Sequence, residues 1–126
     1  MMILIADDDR IHVHMLTSRL KAKGFKVSAA FDAIQAWIAA IRTSPDAIIL
    51  DIQMPGGTGM AVLKQLKSST KTNQIPVVVL SGSIDPCDAE RVKRLGADEY
   101  LPKPVDLAQL YSTLSKLLGV PLDSES

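Results

Sequence analysis

Two stretches of this chain, Ile48-Ile49-Leu50 and Val77-Val78-Val79-Leu80, are rich in β-branched residues and apolar without alternation. A strand wetted on one face alternates apolar with polar, whereas an unbroken apolar run suits a parallel strand covered on both faces. With Ala47 the first run becomes Ala47–Leu50, and three more short runs, Met2–Ala6, Lys26–Ala30 and Glu99–Leu101, complete a set of five. Lys26–Ala30 is half polar and suits a sheet edge. Helical spacing fills the gaps. Ile11, Met15, Leu16 and Leu20 share one face, and Ile34, Trp37, Ile38 and Ile41 another. Met60, Leu63 and Leu66 mark a third helix. The fourth opens on Asp85 as N-cap with Pro86 at its first position, and carries Ala89, Val92 and Leu95. The fifth opens on Asp106 with Gln109 at capping-box spacing and carries Leu107, Leu110, Leu114, Leu117 and Leu118. Strand and helix alternate five times. That order makes a parallel sheet with right-handed crossovers and helices on both faces, an α/β doubly wound sandwich.

A length of 126 residues fits one compact domain. Fourteen basic residues balance fourteen acidic ones, which leaves no electrostatic footprint for nucleic acid and no basic helix for a membrane surface. A lone cysteine, Cys87, excludes an internal disulfide and fits a reducing compartment. The apolar start, Met1 to Ala6, is too short for a signal sequence and runs straight into three aspartates. No run approaches the length of a membrane span. A soluble, cytoplasmic protein is expected, with 120–126 as a loose tail after a domain at 1–119.

In doubly wound sheets ligands sit beyond the carboxyl ends of the strands, where the strand order reverses. Function is therefore expected at positions 7–9, 51–58, 81–85 and 102–104. Asp7, Asp8 and Asp9 follow the first strand, Asp51 the third, Ser81 the fourth and Lys103 the fifth. Converging carboxylates repel one another and raise each other's pKa, a cost that a hard cation removes. Oxygen-only ligands point to Mg²⁺ or Mn²⁺ rather than zinc. A carboxylate beside such an ion can be a nucleophile toward a phosphoryl group, with Lys103 and the Ser81 hydroxyl placed for the charge on its oxygens.

The segments Ile3-Leu4-Ile5-Ala6-Asp7-Asp8-Asp9, Ile49-Leu50-Asp51-Ile52-Gln53-Met54-Pro55-Gly56-Gly57-Thr58-Gly59, Val79-Leu80-Ser81-Gly82-Ser83 and Gly96-Ala97-Asp98-Glu99-Tyr100-Leu101-Pro102-Lys103-Pro104 carry a resemblance. Over Ile3 to Leu118 the chain resembles the receiver domain of two-component response regulators, of the chemotaxis-regulator type. The resemblance implies a flavodoxin-like (βα)5 fold with a five-stranded sheet in the order 2-1-3-4-5. It implies that Asp51 accepts a phosphoryl group from a sensor histidine kinase or a histidine phosphotransfer protein. Asp7, Asp8, Asp51 and the backbone carbonyl of Gln53 would hold the metal, Asp8 directly and Asp7 through the metal's water, and Ser81 and Lys103 would contact the phosphoryl oxygens. Tyr100 would turn inward with Ser81 as a switch, and the bond before Pro104 would be cis. The output partner would dock on the fourth helix, fifth strand and fifth helix, with Arg91 and Arg94 among the exposed charges. Thr58 stands where many members carry an acidic residue, and Ser81 where threonine is more frequent.

Other assignments compete at single residues. For Asp9 the competing assignment is the N-cap of the first helix. Tyr100 fits a half-buried strand residue equally well. His12 and His14 lie on the polar side of the first helix, and at i and i+2 they do not face each other. Both are expected at the surface, without a shared metal. Trp37 and the leucines of the last helix are expected in the core, and Cys87 as an inert helix-start residue. Three rival functions share this architecture. A flavin binder would need a hydroxyl- and glycine-rich first loop, where three aspartates stand instead. A metal-dependent phosphatase would pair its nucleophile with an acid–base aspartate two residues on, where this chain has Gln53. A receiver-like binding module without the phosphoryl chemistry would not need the full set of five site residues.

Overall fold

The computed structural model describes residues 1–54, 59–82 and 85–122. Five strands and five helices alternate: β1 (Met2–Ala6), α1 (Arg10–Ala22), β2 (Lys26–Ala30), α2 (Ala33–Thr43), β3 (Ala47–Asp51), α3 (Gly59–Ser68), β4 (Val77–Ser81), α4 (Pro86–Arg94), β5 (Glu99–Pro102) and α5 (Leu107–Leu118). The strands form one parallel sheet in the order β2-β1-β3-β4-β5. The flavodoxin-like doubly wound fold expected from the sequence is the one observed.

Alternate side chains of the buried strands feed two cores. Leu4, Ala6, Ile48, Leu50, Val77 and Val79 pack with residues of α2, α3 and α4. Ile3, Ile5, Ala47, Ile49, Val78 and Leu80 pack on the opposite face, with Val13, Leu16 and Leu20 of α1 and Leu110, Tyr111 and Leu114 of α5. Every residue of β3 and β4 is buried, which is why those runs do not alternate. Each fully buried Leu, Ile or Val contributes about 1.5–3 kcal/mol, so this double-sided burial is the main stabilising term of the fold.

Two helix faces differ from expectation. Ile11 is 84% exposed, and α1 buries Val13, Leu16 and Leu20 instead. Ile34 and Ile38 of α2 are also exposed, while the small residues Ala36 and Ala40 lie against the sheet. α2 is apolar on several sides, so residue type alone did not orient it. Trp37 and Leu107, Leu117 and Leu118 pack at the margins of the two cores. Strands β3, β4 and β5 run one residue further than the apolar runs, so Asp51 and Ser81 end strands rather than follow them. Backbone bonds from Ile52 N–H to Leu80 O (3.1 Å) and from Lys103 N–H to Ser81 O (2.8 Å) continue the ladder there. Leu122 packs against the α1–α5 core, and residues 123–126 of the expected tail lie outside the described residues.

The start of α3 sits hard against the end of β3. Gly59 N–H donates to Ile52 O at 3.0 Å, and a Cβ built on Gly59 would lie 2.5 Å from both Asp51 O and Ile52 Cα. Only backbone lies there, and it has no flexible end to move aside. Gly59→Ala is expected to lower stability by about 1–3 kcal/mol or more, measured by denaturant unfolding. An unchanged midpoint would mean that the two segments separate freely.

Candidate functional site

The order of strands reverses at β1, which lies between β2 and β3. The crevice beyond its carboxyl end receives Asp7 and Asp8 directly after β1 and Asp51 from the end of β3. One carboxylate oxygen from each of Asp7, Asp8 and Asp51 lies within 4.8 Å of the others. Asp7 and Asp51 are buried and Asp8 is exposed. Lys103, just past β5, reaches back to place Nζ 2.9 Å from Asp51 Oδ2 and 3.7 Å from Asp7 Oδ2. The other oxygen of Asp51 accepts the backbone N–H of Gln53 at 3.0 Å. Gln53 itself is exposed.

Ser81 is fully buried at the end of β4, one step beyond the residue paired with Asp51. Tyr100 lies on β5 opposite Val79, half-buried against the core on the α4 side. The Lys103–Pro104 bond is cis. The structure thus brings Asp7, Asp8, Asp51, Gln53, Ser81 and Lys103 to one end of the sheet and sets Tyr100 further down β5. Of the quoted motifs, Pro55, Gly56, Gly57, Thr58 and Ser83 lie outside the described residues.

The electrostatics follow from burial. Burial is the largest influence on Asp7 and pushes its carboxyl above the usual range. The nearby Asp51 adds to this, against the hydrogen bonds that His12 and the Asp9 amide give to the ionised form. For Lys103, burial alone would lower the pKa. The hydrogen bond to Asp51 and the charges of Asp51, Asp7 and Asp8 together outweigh it and hold the ammonium above its ordinary value. Three carboxylates therefore share one ammonium, and the surplus negative charge sits on oxygen ligands. That donor set fits a hard divalent cation.

A raised folded-state pKa means that the protonated form of Asp7 favours folding, and that this stabilisation is lost as pH rises through the folded value. Without divalent cation, Asp7→Asn should therefore melt above the parent protein near neutral pH. The gap should close as pH falls and Asp7 protonates. A lower melting temperature for the variant at neutral pH would contradict the burial argument.

His12 corrects the sequence reading. Its ring is not at the open surface: Nδ1 lies 2.6 Å from Asp7 Oδ2, with the side chain 16% exposed. The cause is local. Asp9 caps α1 by accepting the N–H groups of Ile11 and His12, and this turn swings position 12 back over Asp7, the first residue after β1. The signal was the Asp9 cap with His12 three residues on, rather than any pairing of His12 with His14. His14 is exposed as expected.

A cleft of about 580 Å³ beside this site is lined by Ile11, His12, Met15, Lys103, Pro104 and Val105, together with Asp9. Among the described residues, no helix is long and apolar enough to cross a membrane.

Residues 3–115 match the family model described as the response regulator receiver domain. The response regulator PleD of Caulobacter vibrioides is 36% identical over 91% of this chain, which spans 25% of that protein's length. Protein PilH of Pseudomonas aeruginosa is 34% identical over 93% of this chain and 97% of its own length. Among solved structures, the receiver domain of sensor histidine kinase PA1611 from Pseudomonas aeruginosa, which has a magnesium ion coordinated in its active site cleft, superposes with a TM-score of 0.85. It is 26% identical and covers 94% of this chain and 97% of its own. Fold, strand-end acidic cluster and family match agree: the chain belongs to the response regulator receiver domains of two-component systems.

Proposed function

We propose that this receiver takes a phosphoryl group onto Asp51 from a phosphohistidine, on a sensor histidine kinase or a histidine phosphotransfer protein, and that the modified form switches a protein-binding face. The observation that carries this reading is a buried Asp51 carboxylate with Lys103 Nζ at 2.9 Å and the carboxylates of Asp7 and Asp8 beside it.

In the transfer, an Oδ atom of Asp51 forms a bond to phosphorus as the bond from phosphorus to the donor's imidazole nitrogen breaks, and the electron pair leaves with the nitrogen. Negative charge spreads over the three phosphoryl oxygens, so catalysis depends on positioning and on cations and donors. Lys103 already holds Asp51 Oδ2, and on transfer it follows the charge outward to the phosphoryl group. The Ser81 hydroxyl, at the end of the adjacent strand, supplies a second donor. Asp7, Asp8, Asp51 and the backbone carbonyl of Gln53 would hold Mg²⁺ or Mn²⁺, which when bound supplies charge neutralisation for the phosphoryl oxygens. The oxygen-only donor set and its surplus negative charge support this, as does the magnesium in the related receiver structure.

The chain in this reading is a cytoplasmic switch, not a turnover enzyme, and catalyses only its own phosphorylation and dephosphorylation. Gln53 stands where an aspartyl phosphatase would keep an acid–base carboxylate. Residues 1–119 form the receiver and 120–126 its tail, with neither nucleic acid nor membrane bound by this domain. Phosphorylation adds roughly two negative charges at Asp51. Ser81 moving toward them vacates volume beside Tyr100, whose inward turn alters the face made by α4, β5 and α5. Arg91 and Arg94 are exposed on α4 for an output partner.

Acetyl phosphate with Mg²⁺ should label the protein once, and chelation should return the label to background. Label that persists in chelator would overturn the metal assignment. Amide shift mapping with beryllofluoride should show changes reaching residues 86–101, and silence there would leave Tyr100 as packing only.

A further inference from the structure

The acidic cluster is tied to helix α1 by a residue whose chemistry the receiver reading does not use. His12 is bound to the loop twice. Its backbone N–H donates to Asp9 Oδ1 at 3.2 Å, and its ring Nδ1 lies 2.6 Å from Asp7 Oδ2. Asp7 Oδ1 meanwhile accepts the Asp9 backbone N–H at 3.0 Å. Both oxygens of a carboxylate that is 1% exposed are therefore held in fixed directions, one by the backbone and one by the imidazole. Among the residues in question only the ring can be exchanged by mutation without changing the backbone path. His12 also lines the cleft that runs to Lys103, Pro104 and Val105, whereas Asp7 does not, so the ring stands between that cleft and the carboxylate.

We propose that His12 is a positioning residue for divalent-cation binding: its Nδ1–H fixes the orientation of the Asp7 carboxylate and keeps it ready as a ligand. The proposal rests on the reading that Asp7, Asp8 and Asp51 hold the cation. The role requires a proton on Nδ1, which the imidazolium and the neutral Nδ1–H tautomer both carry. Carboxylates and histidines that ligate metals are oriented by outer hydrogen-bond partners, and loss of such a partner weakens metal affinity by about 10–100-fold. His12 is not itself within the group of converging ligand atoms, which comprises Asp7, Asp8 and Asp51.

The test is calorimetric titration of the full chain with Mg²⁺, using the parent, His12→Leu, His12→Asn and Asp8→Ala, each checked by thermal melting. His12→Leu should weaken Mg²⁺ binding by about 10–100-fold. His12→Asn, whose side-chain amide can place an N–H near the position of Nδ1, should restore affinity to within a few-fold of the parent. His12→Ala serves the same comparison if His12→Leu melts early. If His12→Leu, or His12→Ala in its place, binds Mg²⁺ like the parent while Asp8→Ala loses it, the role of His12 is wrong and the metal site stands. If the parent binds no Mg²⁺, the metal site itself falls and the role of His12 with it. A His12→Asn variant as weak as His12→Leu would also overturn the proposal, because a donor alone would then not suffice.

Discussion

Asp51→Asn should take up no phosphoryl group from acetyl phosphate and Mg²⁺ while remaining folded. The amide is nearly isosteric with the carboxylate, and its carbonyl oxygen can still accept the Gln53 N–H that Asp51 Oδ1 accepts at 3.0 Å. What disappears is the anionic oxygen held 2.9 Å from Lys103 Nζ. A neutral amide is a poor nucleophile toward phosphorus, so the expected loss is the whole of the reaction and not a fraction of it. The variant also removes one of two buried, neighbouring carboxylates, which relieves repulsion with Asp7. Its melting temperature without divalent cation should therefore be no lower than that of the parent. Uptake at the parental rate would remove Asp51 from the mechanism.

Lys103→Ala should slow uptake by about 10²–10³-fold, the usual cost of removing one group that stabilises developing charge in a transition state. Label should still appear, slowly, because the nucleophile and the other carboxylates stay in place. The parent's dependence on the ammonium should be flat across neutral pH. The folded pKa of Lys103 lies above its ordinary 10.5, so its ion pairs are fully present below that value and are lost only as pH rises through the folded value. A rate unchanged in Lys103→Ala would reduce this lysine to a structural counter-ion for Asp51 and Asp7.

The parts of this protein that were legible in its sequence are those where a single physical demand acts. Strands β3 and β4 are buried on both faces, so they must be apolar throughout, and their runs were plain. Asp85 and Asp106 announced α4 and α5, because caps are local hydrogen-bond chemistry that needs no tertiary context. Helix faces were harder. In α2 the residues pressed on the sheet are Ala36 and Ala40, and the larger Ile34 and Ile38 face outward. Close approach of helix and sheet selects for small side chains, a demand that hydrophobicity does not report. Ile11 misled for a related reason, since it lies in the first turn of α1, ahead of the buried stripe at Val13, Leu16 and Leu20.

The strand-end aspartates, Ser81 and Lys103 were found because α/β topology says where to look. His12 was missed because its partner is an aspartate five residues back, across a loop whose turn is set by the Asp9 cap. A histidine's neighbours along a helix say little about a contact made through the chain reversal ahead of it.

Loss of uptake in Asp51→Asn has one weakness as proof, since a variant can also disturb a neighbour that is the true acceptor. Locating the modification in the unaltered protein avoids this. The chain should be phosphorylated with acetyl phosphate and Mg²⁺, the acyl phosphate trapped by borohydride reduction, and the product mapped by peptide mass spectrometry. The account predicts a single modified residue, Asp51, with Asp7, Asp8 and Asp9 unmodified. A product on Asp8, or on any residue other than Asp51, would contradict it.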